Sequence, residues 1–166
     1  MRVTTAFSYH NTYNMSNNTD VHVAPSEMHE QQSLRALRRF DIGDVISPFS
    51  ASQILAQPNY LTIQLSENEH IMLQPEWLQY TNHSCNPNAF FNIETMQLEC
   101  VRPINTGEEI TFFYPSTEWS MDQPFICKCN SVHCIGYIRG AKEMADKDLA
   151  NYRLSPFILR KLRELE

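Results

Sequence analysis

Residues 82–88 read Asn-His-Ser-Cys-Asn-Pro-Asn. This is a polar, proline-containing loop, and its cysteine has no apolar neighbours to pack with. Further on, the stretch CKCNSVHC places Cys127, Cys129 and Cys134 within eight residues. Thiolates this close can wrap one tetrahedral ion; sulfur ligands suit zinc, and closed four-ligand sites are structural. The cluster needs a fourth ligand. His133 is next to Cys134 and would have to bend back. Cys100 lies inside the strand-like QLECV, where a small buried apolar residue explains it. Cys85, in its polar loop, has the strongest reason to be a ligand. A reactive thiol at Cys85 is the competing reading, and it needs a paired base; His83 is two residues away but need not face it.

Composition widens the frame. The chain has 166 residues, 42% hydrophobic and 19% charged, enough for one domain with a single core. Nine prolines against four glycines suggest short elements joined by stiff turns. The opening MRVTTAFSYHNTYNMSNNTD lacks the apolar core of a signal peptide, and no stretch is long enough to span a membrane. An intracellular protein, cytoplasmic or nuclear, is therefore expected. Five cysteines, an odd number, then point to metal or catalysis rather than disulfides. The net charge of −6 argues against direct nucleic-acid binding but suits a basic protein tail as partner. Nothing in the sequence specifies an oligomeric state.

Most segments between these markers read as strands. SLRALRRFDIGDVI, punctuated by Gly43-Asp44, predicts strand, turn, strand, with a short helix as the alternative. YLTIQL alternates, with Leu61, Ile63 and Leu65 on one face and Thr62, Gln64 and Ser66 on the other, as in a half-buried strand. Ile71 to Leu73 is a short strand, and Pro75 opens a helical turn, PEWLQY. NAFFNI and QLECV flank a turn at ETM, and ITFFY is a further strand. Near the end, AKEMADKDLANY looks helical. Ser155-Pro156 starts a second helix, with an apolar face of Phe157, Ile158, Leu159, Leu162 and Leu165.

Three segments occur in a telling order: NHSCNPN at 82–88, GEEITFFYP at 107–115, and the cysteine cluster. Together they resemble the SET domain with its cysteine-rich post-SET segment, the fold of protein-lysine methyltransferases. The resemblance covers about residues 30–140. It implies a mostly β (α+β) fold of short curved sheets with a pseudoknot and a post-SET zinc segment, and the short C-terminal helices read above follow it. The division expected is an N-terminal segment at 1–30, the SET domain at 31–120, the post-SET segment at 121–140 and a helical extension at 141–166. One zinc would be held by Cys85, Cys127, Cys129 and Cys134.

The resemblance also implies chemistry. A neutral lysine amine, on a protein or peptide, attacks the methyl group of S-adenosylmethionine (SAM) in line. Tyr114 matches the catalytic tyrosine. Phe112, two residues earlier on the same face, matches a position where Phe leaves room for di- or trimethylation. Asn82 and His83 match the pair that holds the cofactor, His83 mainly through its backbone. Tyr80 matches an aromatic position near the cofactor. Phe113 and Trp77 are expected in the core. The sequence departs from the family where a Gly-x-Gly normally meets SAM, for Gln31-Gln32-Ser33 stands there. Ser33 is small enough to serve, while Gln31 would crowd the methionine end. Gln79 replaces a common Arg. Two other functions compete with lysine methylation: a SET scaffold turned to a small molecule, and a non-catalytic interaction module.

Overall fold

The computed structural model describes residues 20–26 and 31–165. Of the N-terminal segment expected at 1–30, residues 1–19 and 27–30 lie outside them. Among the described residues no helix is long and apolar enough to cross a membrane.

Short strands make five small sheets. β1 (Val21–Pro25) pairs antiparallel with β2 (Gln32–Ala36), so the region expected as an N-terminal segment contributes a strand. β3 (Val45–Pro48), β9 (Gln97–Cys100) and β8 (Ala89–Asn92) form a three-stranded antiparallel sheet in the order β3-β9-β8. β4 (Ser50–Leu55), β6 (Glu69–Gln74) and β5 (Thr62–Ser66) form another, in the order β4-β6-β5. β7 (Asn82–His83) and β10 (Thr111–Phe112) pair in parallel, and β11 (Phe125–Ile126) pairs with β12 (Tyr137–Ile138). A 3-10 helix at Glu76–Tyr80 follows Pro75, as the proline implies.

The main core gathers the apolar sides of these sheets, with Leu34, Phe40, Ile71, Leu78, Phe91, Leu98, Ile104 and Ile110 fully enclosed. Trp77 packs against it, as expected. A second cluster joins Phe113 and Trp119 to Leu149, Phe157 and Ile158 of the C-terminal segment.

Several sequence expectations need correcting. β5 is buried on both faces: Thr62 and Gln64 are as enclosed as Ile63. Its polar side chains are satisfied inside the protein, where period-two alternation would leave them in water. The strand in ITFFY is two residues long, because the chain turns into a 3-10 helix at Tyr114–Ser116. AKEMADKDLANY forms a 3-10 turn at Ala141–Glu143 and the one-turn helix α1 (Asp146–Leu149), not a continuous helix. α2 (Pro156–Arg163) starts as expected, with the buried Ser155 accepting from the Ile158 N–H at 3.3 Å and Pro156 in the first turn. Its apolar face is narrower than expected, since Leu159 and Leu165 are exposed.

Gly140 is required by close approach rather than by backbone angle, for its φ of −62° suits any residue. A Cβ there would strike the Trp119 carbonyl and Ser120 Cα. The segments cannot easily part, because Ala141 N–H donates to the Glu118 carbonyl at 2.8 Å and Lys142 N–H to that of Trp119 at 3.1 Å. Gly140→Ala is expected to destabilise by about 2 kcal/mol, a fall of roughly 4–8 °C in a thermal melt. An unchanged Tm would refute the tight approach.

Candidate active site and metal centre

A cavity of about 420 Å³ lies between β5, the turn before β7, β10 and the segment 121–128. This is within the roughly 300–1,000 Å³ of ordinary ligand pockets. Its walls include Gln31, Asn82, Phe112, Tyr114, Glu118 and Phe125.

The β7–β10 pair brings the two sequence motifs together, with Asn82 opposite Thr111 and His83 opposite Phe112. So short a ladder needs help, and Asn88 provides it. Its Oδ1 accepts from Thr111 N–H at 2.8 Å, and its Nδ2 donates to the Glu109 carbonyl at 2.8 Å. Phe112 and Tyr114 share a face, their ring centroids 4.7 Å apart, and Phe112 also meets Phe91 edge-on at 4.8 Å. Phe113 points the other way and stacks on Tyr152 at 3.6 Å. The i, i+2 expectation is therefore met on both faces.

Asn82 is tied down through its amide nitrogen, which donates to the Gln32 carbonyl at 3.0 Å and to Glu109 Oε1 at 2.9 Å. Its Oδ1 is the atom left to accept. The buried His83 ring acts as a bracket. Its Nδ1 accepts from Tyr114 N–H at 3.3 Å, and its Nε2 lies 3.3 Å from Cys85 Sγ. The Tyr114 hydroxyl faces the Thr81 carbonyl at 3.5 Å, a long contact. Burial, then the charges of Glu118 and Glu109, push the Tyr114 phenol above its ordinary range, so it keeps its proton.

Ser33 and Tyr80 do not line the cavity. Ser33 is fully buried and donates its hydroxyl to Ala24 of β1 at 3.1 Å. The neighbours Gln31 and Gln79 line the cavity in their stead. Glu118 is a wall residue that the sequence did not single out.

The cluster Cys85, Cys127, Cys129 and Cys134 has all its sulfurs within 4.8 Å of one another. Cys85 and Cys127 Sγ are 3.8 Å apart. A tetrahedral zinc with bonds of about 2.3 Å has edges of about 3.8 Å, so the four thiols fit the ion. Burial pushes the Cys85 thiol up to about 12 and raises Cys127. At Cys129 burial also opposes ionisation, but backbone hydrogen bonds from Cys85 and Ser131 outweigh it and lower the thiol to about 7. Cys100 lies elsewhere, its thiol donating to the Arg102 carbonyl at 3.0 Å. Tyr152 donates to the Cys85 carbonyl at 2.8 Å, so the C-terminal segment braces the same loop.

The SET domain family matches residues 31–115. The chain belongs to the SET-domain methyltransferase family. The small sheets and the cysteine cluster beside the cavity are those of a SET domain with a site suited to post-SET zinc. Methyltransferase flvH of Aspergillus flavus is 37% identical over 128 residues, 76% of this chain and 71% of that protein. Histone-lysine N-methyltransferase set9 of Schizosaccharomyces pombe is 41% identical over 58 residues, 34% of this chain. Histone-lysine N-methyltransferase Set2 of Drosophila melanogaster is 40% identical over 68 residues, 37% of this chain. The SET chain spans only 12% and 3% of those two larger proteins.

Proposed function

We propose that this SET protein transfers methyl groups from SAM to the side-chain amine of lysine in a protein or peptide, inside the cell. The observation that carries the reading is the cavity wall shared by Asn82, Phe112 and Tyr114. SAM, when bound, supplies an electrophilic methyl group on a sulfonium. Asn82 suits its amino-acid end: with both amide hydrogens committed, Oδ1 remains to accept from an ammonium. Phe112 and Tyr114 form an aromatic wall that favours a cationic centre and excludes water from the amine. The Tyr114 hydroxyl and the Thr81 carbonyl provide one donor and one acceptor for orienting the amine. In this reading the zinc cluster, with Cys85 as its fourth ligand, is structural.

A second reading, methylation of a small molecule, is favoured by one observation. Gln31 and Gln79 both line the cavity, so its shape differs from one bounded by bare backbone. Calorimetry with SAM, followed by labelled-methyl transfer to core histones and to free L-lysine, separates the readings. Binding with transfer to histones supports the first, and transfer to lysine alone supports the second. No SAM binding by protein carrying one zinc per chain would sink both. Phe112 leaves room for a second and third methyl group. Phe112→Tyr should shift the histone product to monomethyl-lysine by mass spectrometry, and an unchanged product distribution would refute the role of Phe112.

A further inference from the structure

Among the described residues lining the cavity, Asp122 and Glu118 are the acidic ones; Asp122 is exposed and Glu118 is buried. Glu118 is held firmly. Its N–H donates to the Tyr114 carbonyl at 3.1 Å, and its own carbonyl accepts from Ala141 N–H at 2.8 Å. Carboxylate Oε1 accepts from Gln64 N–H and from the Thr117 hydroxyl, each at 3.0 Å. Gln64 answers by accepting from Trp119 N–H through Oε1 at 2.9 Å. One carboxylate oxygen is thus anchored. The other, Oε2, has no hydrogen-bond partner among the described residues, and it is not one of the enclosed orphan atoms. An anchored buried carboxylate with one open oxygen, in a ligand cavity, calls for a proton or a cation.

The amine chemistry leaves such a need. An alkylamine arrives from neutral water as an ammonium, with a pKa of about 10.4, and has no lone pair until a proton leaves. Tyr114 keeps its own proton and cannot accept another. His83 is committed at both ring nitrogens. We propose that Glu118 is the proton acceptor for the substrate amine. This rests on the methyl-transfer reading above.

The step balances. An N–H proton passes to Glu118 Oε2, and its bonding pair stays on nitrogen. That pair forms the new N–C bond to the methyl, and the C–S pair departs on sulfur as a neutral thioether. The protonated carboxyl and the methylated ammonium then release their protons to water. Burial holds the Glu118 carboxyl up at about 7, so it can both take and return a proton near neutrality. Desolvation lowers the ammonium at the same time, so the two groups converge. Among the described residues, the other ionisable groups lining the cavity are Tyr60, His83, Tyr114, Asp122 and Lys128. From the C-terminal side, Lys142 follows Ala141, and Lys161 lies over the Trp119 ring at 5.5 Å. The substrate class is therefore an alkylamine that arrives protonated and attacks as the neutral amine once Glu118 has taken its proton.

The test compares wild-type protein with Glu118→Gln, which keeps the Oε1 acceptor. With core histones as methyl acceptor, wild-type transfer should rise with pH through about 7. Glu118→Gln should lower transfer at pH 7 by about 10²-fold and lose that limb. Its SAM affinity by calorimetry should stay within about twofold of wild type. Independently of turnover, the carbon-13 carboxyl signal of Glu118, assigned by its loss in the variant, should titrate near 7. Should Glu118→Gln not fold, Glu118→Asp should lower transfer yet keep the pH limb. Equal rates and pH profiles for wild type and variant would overturn the proposal and leave the methyl-transfer reading standing. So would a carboxyl titrating at an ordinary glutamate value. Wild-type protein that binds SAM but methylates no amine would overturn both.

Discussion

Cys127→Ser is expected to remove zinc and methyl transfer together. Metal content should fall from one ion per chain to near zero. Serine offers a hard, protonated oxygen where a thiolate is needed, and a site with three sulfurs loses most of the binding energy that couples ion to fold. Structural zinc sites contribute about 10–16 kcal/mol in small domains, so the loss is large on the scale of a stability of about 5–15 kcal/mol. The consequence reaches the cavity by a short path. β11 and β12 pair through only two residue pairs, and such a hairpin has little stability alone. Phe125 of β11 lines the cavity and meets Tyr114 edge-on at 5.9 Å and His83 at 5.6 Å. Cys85, on the opposite side of the cluster, is next to Ser84, whose N–H donates to the Phe112 carbonyl at 3.0 Å. Without the ion both walls loosen. Cys100→Ser should leave the metal in place, since that thiol points to Arg102. Zinc analysis with methyl-transfer assay decides the matter, and full activity in a zinc-free Cys127→Ser protein would end this account of the site.

The same cluster explains why this part of the molecule was legible in the sequence. Cysteine in a polar loop has few uses, so thiol chemistry favoured Cys85 over His133 and Cys100 as the fourth ligand, and the family resemblance completed the set. Phe112, Phe113 and Tyr114 were legible because strand alternation fixes facing over two residues. Other features depend on contacts that no local pattern carries. Glu118 sits in PSTEW, where no local pattern marks it for burial. It is buried because its carboxylate accepts from Gln64, 54 residues away. The same contact buries the polar face of β5, which alternation assigned to water. Ser33 turns towards Ala24 because β1 covers β2, and VHVAP carried too little signal to be read as that strand. Asn88 props the start of β10 by bonding with its side chain, and the strand stops where the 3-10 helix at Tyr114–Ser116 takes over from ITFFY.

Tyr114→Phe should lower methyl transfer by about 10²–10³-fold, the scale for removing one positioned donor from a reacting centre. SAM affinity and stability should change little. The ring is the part that packs, against Phe112 at 4.7 Å and His83 at 5.3 Å, and phenylalanine keeps both contacts. What is lost is a hydroxyl whose one partner among the described residues is the Thr81 carbonyl at 3.5 Å, too long a bond to hold much folding energy. A group so loosely engaged by the protein, yet kept protonated by burial and two carboxylates, is available to a substrate. Its removal should therefore appear in the rate and scarcely in the melt. Single-turnover transfer of a labelled methyl group, measured beside a thermal melt, separates the outcomes. A full rate in Tyr114→Phe would leave Tyr114 as packing alone. An equal fall in Tm and rate would make the hydroxyl a brace for the Thr81 turn, with no part in the chemistry. Tyr114→Ala serves as the contrast, because it also strips the ring from Phe112, His83 and Phe125 and should lower both together.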